Sequence, residues 1–145
     1  KVAALFHDSG FLNKYQNNEA EGANLAKREL PRYGFTDSQV EIVEGMILAT
    51  KIPQDPKNRL EEVLCDADLD YLGRSKEEFD IISDSLAQEL VDMKLLKNLN
   101  QWDPIQIKFL EAHKYFTKTC VKTRRAGKIE RLREIKARLI GPNVE

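Results

Sequence analysis

Long hydrophobic runs are absent from this 145-residue sequence, and no signal peptide is recognisable. No apolar stretch approaches the roughly 18 residues needed to cross a bilayer, so we expect no membrane partner and a cytoplasmic location. Cysteine is also scarce: Cys65 and Cys120 lie far apart without zinc-ligand spacing, which favours free thiols in a reducing compartment. Strand patterns, internal repeats and low-complexity linkers are almost entirely missing. These absences predict a single all-α domain over residues 1–145.

The composition is that of a globular protein, with 41% hydrophobic and 32% charged residues. A chain of this length can bury a sizeable core. It opens with Lys1 inside an apolar helical run, so we expect that an N-terminal helix or helices precede this sequence in the full protein.

Positive charge is concentrated near the end of the chain. The formal net charge is −1, but residues 114–138 contain ten Lys or Arg and two Glu, so this basic segment carries +8 and the remainder −9. Such asymmetry is typical either of contact with an anionic partner or of a solvated helix docked on an acidic body. We favour the second interpretation. It predicts that Ile129, Leu132 and Leu139 are buried and that Arg124, Arg131 and Arg138 point outward.

Helical periodicity recurs along the chain. Ser38 and Glu41 have the spacing of a capping box, as do Ser75 and Glu78. The predicted helices cover residues 2–8, 19–32, 39–50, 57–72 and 75–93, then a long helix from 104 through 120 that Gly127 breaks, and a last helix that stops at Gly141-Pro142. The helix over 57–72 is expected to present Leu60, Val63, Leu64, Ala67 and Tyr71 inward.

Two apolar stretches carry side chains that suit metal chemistry. The first ends in the adjacent pair His7-Asp8, and the second contains Asp66, Asp68 and Asp70 among leucines. Imidazole and carboxylate are ligands for divalent ions, and both are unfavourable to bury without a partner. We expect His7, Asp8 and Asp68 to meet around one ion. The alternatives are a hydrogen-bonded core histidine and an exposed acidic helix face.

These residues resemble the signatures of a known family. Residues 5–11, LFHDSGF, resemble the His-Asp signature of the HD-domain metal-dependent phosphohydrolases, and residues 66–70, DADLD, resemble their second signature. The two lie in the family's order. Residues 19–23, EAEGA, resemble the segment that often follows the His-Asp turn, and residues 106–117 resemble a subgroup of small bacterial HD proteins. The resemblance implies an all-α, single-domain helical bundle of the HD-domain type.

The resemblance also implies a metal site. Its ligands would be His7, Asp8 and Asp68, with Asp66 as the rival of Asp68, which we prefer because it follows the alanine of the family's Ala-Asp. The family's fourth ligand, an upstream His, has no counterpart in this sequence.

A single ion is expected. Two-metal members of the family usually have a His near the position of Asn18 and a His or His pair near Thr50 and Lys51, and this sequence has neither. One divalent ion, such as Mn, Mg, Fe, Co, Ni or Zn, is therefore the implied cofactor.

The implied activity is hydrolysis of a nucleotide or similar small phosphate ester by metal-activated water. Asp8 or Glu21 would orient the water or take its proton, and Lys51 would pair with the substrate phosphate. His113 would line the pocket and contact substrate. The alternatives are a solvated loop lysine and a core histidine. At the level of function, the alternative is a catalytically degenerate HD-fold module, either one that binds nucleotide or RNA through the basic segment or a regulatory domain of a larger signalling protein.

Overall fold

The computed structural model describes residues 1–140, and this part of the chain is all-α. It forms eight α-helices joined by short turns, without a β-strand in the described range, which confirms the predicted fold class. No helix in these residues is long and apolar enough to cross a membrane. The helices are α1 (Val2–Phe6), α2 (Asn18–Glu29), α3 (Asp37–Ala49), α4 (Arg59–Asp68), α5 (Lys76–Asp92), α6 (Trp102–Ala112), α7 (Lys118–Thr123) and α8 (Arg125–Ile140).

The chain divides into two compact units, Lys1–Asp68 and a second that begins at Leu69. The expectation of one domain over residues 1–145 stays a prediction. The predicted helix end at Gly141-Pro142 lies outside the described residues.

The first unit contains α1 to α4 around one apolar cluster. Small side chains on α2 allow close packing against α3. The buried members of the cluster are Ala3, Ala23, Ala26, Leu30, Val40, Val43, Ile47 and Leu64. α3 begins with a capping box, but in a different place from the predicted one: the Thr36 side chain accepts from the Gln39 backbone N–H, and the Gln39 side chain accepts from the Thr36 N–H. Thr36 therefore starts the helix before Ser38 is reached.

The predicted inward face of α4 is wrong in part: Leu64 is buried and Tyr71 is partly buried, as expected, but the other three residues are not. Leu60 and Val63 are about half exposed and Ala67 is exposed. The buried residues are Glu61, Leu64, Cys65 and Asp66. Asn58 Oδ1 accepts from the backbone N–H groups of Leu60 and Glu61, and Glu61 Oε2 accepts from Lys57 N at 2.6 Å. These capping hydrogen bonds hold the Glu61 side chain inward. The buried face of α4 is therefore the one that carries Glu61 and Asp66, and it is not the predicted leucine face.

The second unit is built from α5 to α8. Its buried apolar cluster consists of Leu69, Leu72, Phe79, Leu110 and Ile135. The predicted long helix through residue 120 is interrupted earlier than expected. α6 ends at Ala112 because His113 takes an extended conformation, and α7 begins after Thr117, whose side chain accepts from Cys120 N at 3.1 Å.

Gly127 does not break a helix; it lies inside α8. A Cβ atom placed on Gly127 would lie 2.3 Å from the backbone oxygen of Gly73. The glycine therefore permits close contact between α8 and the turn Asp70–Gly73, and helix termination is not its role.

The orientation of α8 agrees with the prediction only in part: Arg138 is exposed and Leu132 packs against the cluster of the second unit, but the other positions differ. Ile129 and Leu139 are exposed, whereas Arg131 is only 5% exposed and Lys128 is buried as well. Lys128 Nζ donates to the backbone oxygens of Leu110 and His113, so it satisfies carbonyl groups at the end of α6. Part of the basic segment is therefore internal: Lys128 caps a neighbouring helix, and Arg131 pairs with Glu130 and Glu134 of its own helix.

We expect Gly127→Ala to lower the free energy of unfolding by about 1–3 kcal/mol, because the added methyl overpacks the contact with Gly73. Urea denaturation followed by circular dichroism measures the change. Ala126→Gly, at an exposed neighbouring position, is the control for helix propensity and should cost about 1 kcal/mol. Stabilisation by Gly127→Ala would contradict the packing argument, since alanine is the better helix former.

Candidate metal centre

The end of α1 fixes the orientation of His7. Its backbone N–H donates to Ala3 O at 2.9 Å, and its ring atom Nδ1 lies 2.9 Å from Ala4 O. A carbonyl oxygen only accepts, so Nδ1 carries the proton and Nε2 faces away from the helix. Histidine ligands of metals are usually held in this way, with the second ring nitrogen on a backbone carbonyl or carboxylate.

Gly22 brings α2 against the same helix end. A Cβ atom at this position would lie 2.6 Å from Phe6 O and 3.4 Å from His7 O. Only a residue without a side chain allows this approach without a shift of backbone. The glycine of the EAEGA segment thus packs α2 against the backbone that carries His7.

The side chains of Asp8 and Asp68 both approach the ring of His7, so the three predicted ligands lie together. Its Nε2 atom lies 3.2 Å from Asp8 Oδ2 and 3.3 Å from Asp68 Oδ1. Asp68 is the last residue of α4, far from His7 in the sequence. The side chains of His7 and Asp68 are 19% and 21% exposed, whereas Asp8 is 62% exposed. The expected approach of the three side chains is observed, with one side of the cluster open to solvent.

The two carboxylates stabilise a charged imidazole. The hydrogen bond with Asp68 raises the pKa of His7 to about 9, against an opposing effect of burial and with further support from the Ala4 carbonyl and the charges of Asp8 and Asp68. At neutral pH without a metal, the ring is therefore an imidazolium. A metal ion needs the lone pair of Nε2, so it competes with this proton.

The neighbouring aspartates occupy different environments. Asp66 is buried, at 2% exposure, within α4. Burial acts to raise the pKa of the Asp70 carboxyl, but together the hydrogen bonds from Arg124 and Arg74 and their charges hold it below the usual range. Of the three aspartates in this run, it is Asp68 whose carboxylate contacts His7.

Gln54 supports Asp68, although no motif or spacing in the sequence marks it. Its Nε2 donates to Asp68 Oδ2 at 3.2 Å and to Cys65 O at 3.3 Å. It lies in the loop between α3 and α4, among residues that the sequence marks only as turn-forming. Polar spacing could not have revealed this contact, because it depends on how the loop folds back on α4.

Glu21 and Lys51 form hydrogen bonds with Asn13 and Asn17, which lie just before α2. Asn13 Nδ2 donates to Glu21 Oε1 at 3.1 Å, and Lys51 Nζ donates to Asn17 Oδ1 at 3.0 Å. Lys51 also lines a groove of about 440 Å³, whose other walls include Leu48, Ile52, Pro53 and Lys57. Their proposed catalytic roles stay predictions.

His113 belongs to the second unit. Its ring stacks on Phe109 with centroids 6.2 Å apart and meets the edge of Tyr115 at 4.7 Å. This aromatic setting corresponds to the core-histidine interpretation, and contact with substrate stays a prediction.

The cysteines do not contribute to the site. Cys65 and Cys120 form no disulfide. Cys65 Sγ donates to Ala49 O at 3.1 Å, and burial, followed by the charges of Asp68, Asp66 and Glu61, raises the pKa of its thiol to about 12. A protonated buried thiol is neither a nucleophile nor a metal ligand at neutral pH.

The donor set suits one divalent ion chemically, since it offers one imidazole nitrogen and two carboxylates. Within residues 1–140, no group of three or more His, Cys, Asp and Glu side chains is placed so that it could hold a metal ion. In the cluster described here, both carboxylates face the protonated Nε2 itself. The hydrogen bond from Nδ1 to Ala4 O selects the tautomer that leaves Nε2 to bind once its proton is lost. The chemistry of the three side chains suits an ion that replaces the proton, and binding of that ion stays a prediction.

Comparisons with known proteins leave the family resemblance as an expectation. No model of a known protein family matches the chain, and no significant match is found among curated proteins or solved structures.

We expect the His7 ring of the metal-free protein to titrate near pH 9 in NMR spectra. Because its folded pKa lies above the unfolded value of about 6.5, its contribution to stability is complete below that pH and is lost as pH rises from about 6.5 to 9. Asp68→Asn should move the titration back toward the unfolded value. Asp8→Asn should move it less, because Asp8 acts through its charge alone. Titration of wild-type His7 near the unfolded value would contradict the contact with Asp68.

Proposed function

We propose that this protein hydrolyses a phosphate ester of a nucleotide or similar small molecule, using one divalent ion held by His7, Asp8 and Asp68. The observation that carries the proposal is the approach of Asp68 Oδ1 to within 3.3 Å of His7 Nε2. The adjacent residues His7 and Asp8 and the remote Asp68 supply a nitrogen and two carboxylates to one solvent-accessible point. The likeness of LFHDSGF and DADLD to the HD-domain signatures adds the reaction class.

A purely structural ion pair between α1 and α4 explains less. Such a pair requires only one carboxylate, and Asp68 already supplies it. Asp8 is 62% exposed, so its attraction to the imidazolium is screened by water and contributes little to stability. The second carboxylate on the open side of the same nitrogen is better explained as part of a reactive site.

The chemistry divides among the residues as follows. An ion bound by these residues would lower the pKa of a water molecule and polarise a phosphoryl oxygen. Asp8, on the open side, would accept the proton of the attacking water as the water oxygen bonds to phosphorus and the ester P–O bond breaks. The leaving oxygen would take a proton from solvent and depart as the alcohol. His7 and Asp68 hold their positions through the hydrogen bonds from Nδ1 to Ala4 O and from Gln54 to Asp68 Oδ2.

Substrate binding is proposed to involve the loop after α3. Lys51 is exposed, and its ammonium group is hydrogen-bonded to the neutral side-chain amide of Asn17. Turning to a substrate phosphate would therefore break one hydrogen bond and no ion pair. The groove beside it has apolar walls at Leu48, Ile52 and Pro53, which suit a base or another flat apolar group. Gln54, in the same loop, contacts Asp68, so this loop links the groove to the ligand cluster. Glu21 is the second candidate for proton transfer.

A nucleic-acid-binding module is the second candidate function. The observation that favours it is the exposure of Lys118 and Lys122, which are four residues apart on α7, and of Arg125 and Arg133 on α8. Lys128 and Arg131 are buried, however, so less positive charge is available to a partner than the sequence indicates.

Salt dependence separates the two functions. If phosphate contacts on α7 and α8 drive binding to single-stranded RNA, affinity should fall by roughly 10-fold or more between about 50 and 200 mM salt. Lys118→Ala with Lys122→Ala should reduce that slope. Fluorescence anisotropy measures it. We expect no salt-sensitive RNA binding at micromolar protein, and a steep slope lost in the double variant would favour the binding module.

We expect Asp68→Asn to reduce both bound metal and phosphate-ester hydrolysis by at least about 100-fold while the helical content stays unchanged. Metal content is measured by mass spectrometry after incubation with Mn²⁺, and hydrolysis with a panel of nucleotides and p-nitrophenyl phosphates.

Asp66→Asn is the matched control, because Asp66 is buried but is not one of the proposed ligands. It should lower stability more than it lowers the metal bound per folded molecule. Full metal content and activity in Asp68→Asn would refute the ligand assignment. Absence of metal and hydrolysis in the wild type would refute the enzyme.

A further inference from the structure

The Gln54 side chain turns inward from the loop between α3 and α4. Both hydrogen bonds that its Nε2 donates end on the last turn of α4, at Asp68 Oδ2 and Cys65 O. An amide has two N–H groups, so this pairing uses its full donor capacity. The loop is thereby attached to the helix end that carries Asp68.

The two oxygens of Asp68 have different partners. Oδ2 accepts from Gln54 at 3.2 Å, and Oδ1 faces His7 Nε2 at 3.3 Å. The terminal torsion of an aspartate is broad and weakly restrained by its own chain. A donor on Oδ2 therefore restrains the rotation of the carboxylate and keeps the other oxygen directed at the imidazole.

The other end of the Gln54 amide is unfavourably placed. Its Oε1 is buried and accepts no hydrogen bond from residues 1–140. A buried unsatisfied acceptor costs about 1–3 kcal/mol, and a glutamine in a loop can usually avoid that cost by turning to water. A buried polar atom without a hydrogen bond is the kind of local conflict expected where a side chain serves a functional site.

We propose that Gln54 is a positioning residue of the candidate centre: its amide holds Asp68 Oδ2 so that Oδ1 stays directed at His7 Nε2. The inference rests on the proposed function and extends it by one residue that the HD-like motifs do not contain. Hydrogen-bond partners of metal ligands typically change metal affinity by 10–100-fold when they are removed. Gln54 acts through Asp68 and needs no contact with substrate.

The test compares Gln54→Met with Asp55→Asn. Methionine keeps an unbranched side chain of similar length but donates no hydrogen bond. Asp55 lies in the same loop, is exposed and pairs with Lys57, so its substitution controls for general effects on the loop. Calorimetry measures Co²⁺ affinity, and crystal structures of the metal-free variants give the orientation of Asp68. If Gln54→Met fails to fold, Gln54→Ala is judged by the same measurements.

We expect Gln54→Met to bind Co²⁺ about 10–100-fold more weakly, with Asp68 turned away from His7, and Asp55→Asn to match the wild type. Unchanged orientation of Asp68 in Gln54→Met overturns the inference whatever the affinity. If the wild type binds Co²⁺ and Gln54→Met binds it equally well, the inference fails and the proposed function stands. If the wild type binds no Co²⁺, the proposed function fails, and the metal-free structures alone decide whether Gln54 positions Asp68.

Discussion

The contact between the His7 imidazole and the Asp68 carboxylate joins the end of α1 to the end of α4, and the candidate centre depends on it. Each partner is restrained separately, His7 by the Ala4 carbonyl and Asp68 by the Gln54 amide. Gly22 adds close packing of α2 against the same helix end. Three local constraints therefore hold one imidazole and one carboxylate in register. Asp8 then completes a group that is anchored on one side and open on the other.

This arrangement reduces the apolar area that α4 buries. An ordinary amphipathic helix buries its leucines and exposes its acids. Here Leu60 and Val63 are about half exposed, while Glu61 and Asp66 are buried. The same helix ends with Asp68 against an imidazole and with a buried thiol whose pKa the surrounding carboxylates help to raise. A helix that concentrates buried acids in this way sacrifices apolar burial, and such local conflicts are typical of functional sites.

Sequence reasoning was sufficient where a signal is local or chemically unusual. The all-α class followed from periodicity, and an encounter of His7 with the second acidic motif followed from side chains that need partners. The choice of Asp68 over Asp66 was implied by the resemblance to the HD-domain signatures. It was insufficient where tertiary contacts override the local pattern. The capping interactions of Glu61 rotate α4, Lys128 leaves solvent to cap α6, and Gly127 is needed for contact with Gly73 and does not end a helix. Gln54 was missed because no spacing rule marks a loop amide that folds back on a distant carboxylate.

The most direct measurement is the anomalous diffraction of crystals of this protein soaked in Mn²⁺ at a pH at which the His7 proton can be displaced. One ion per chain, bonded to His7 Nε2 and to carboxylate oxygens of Asp8 and Asp68, is the expected result. Ligand distances of about 2.0–2.2 Å would identify true coordination. Crystals in which the His7–Asp68 hydrogen bond persists at saturating Mn²⁺, with no anomalous peak between the three side chains, would contradict a metal centre at this position.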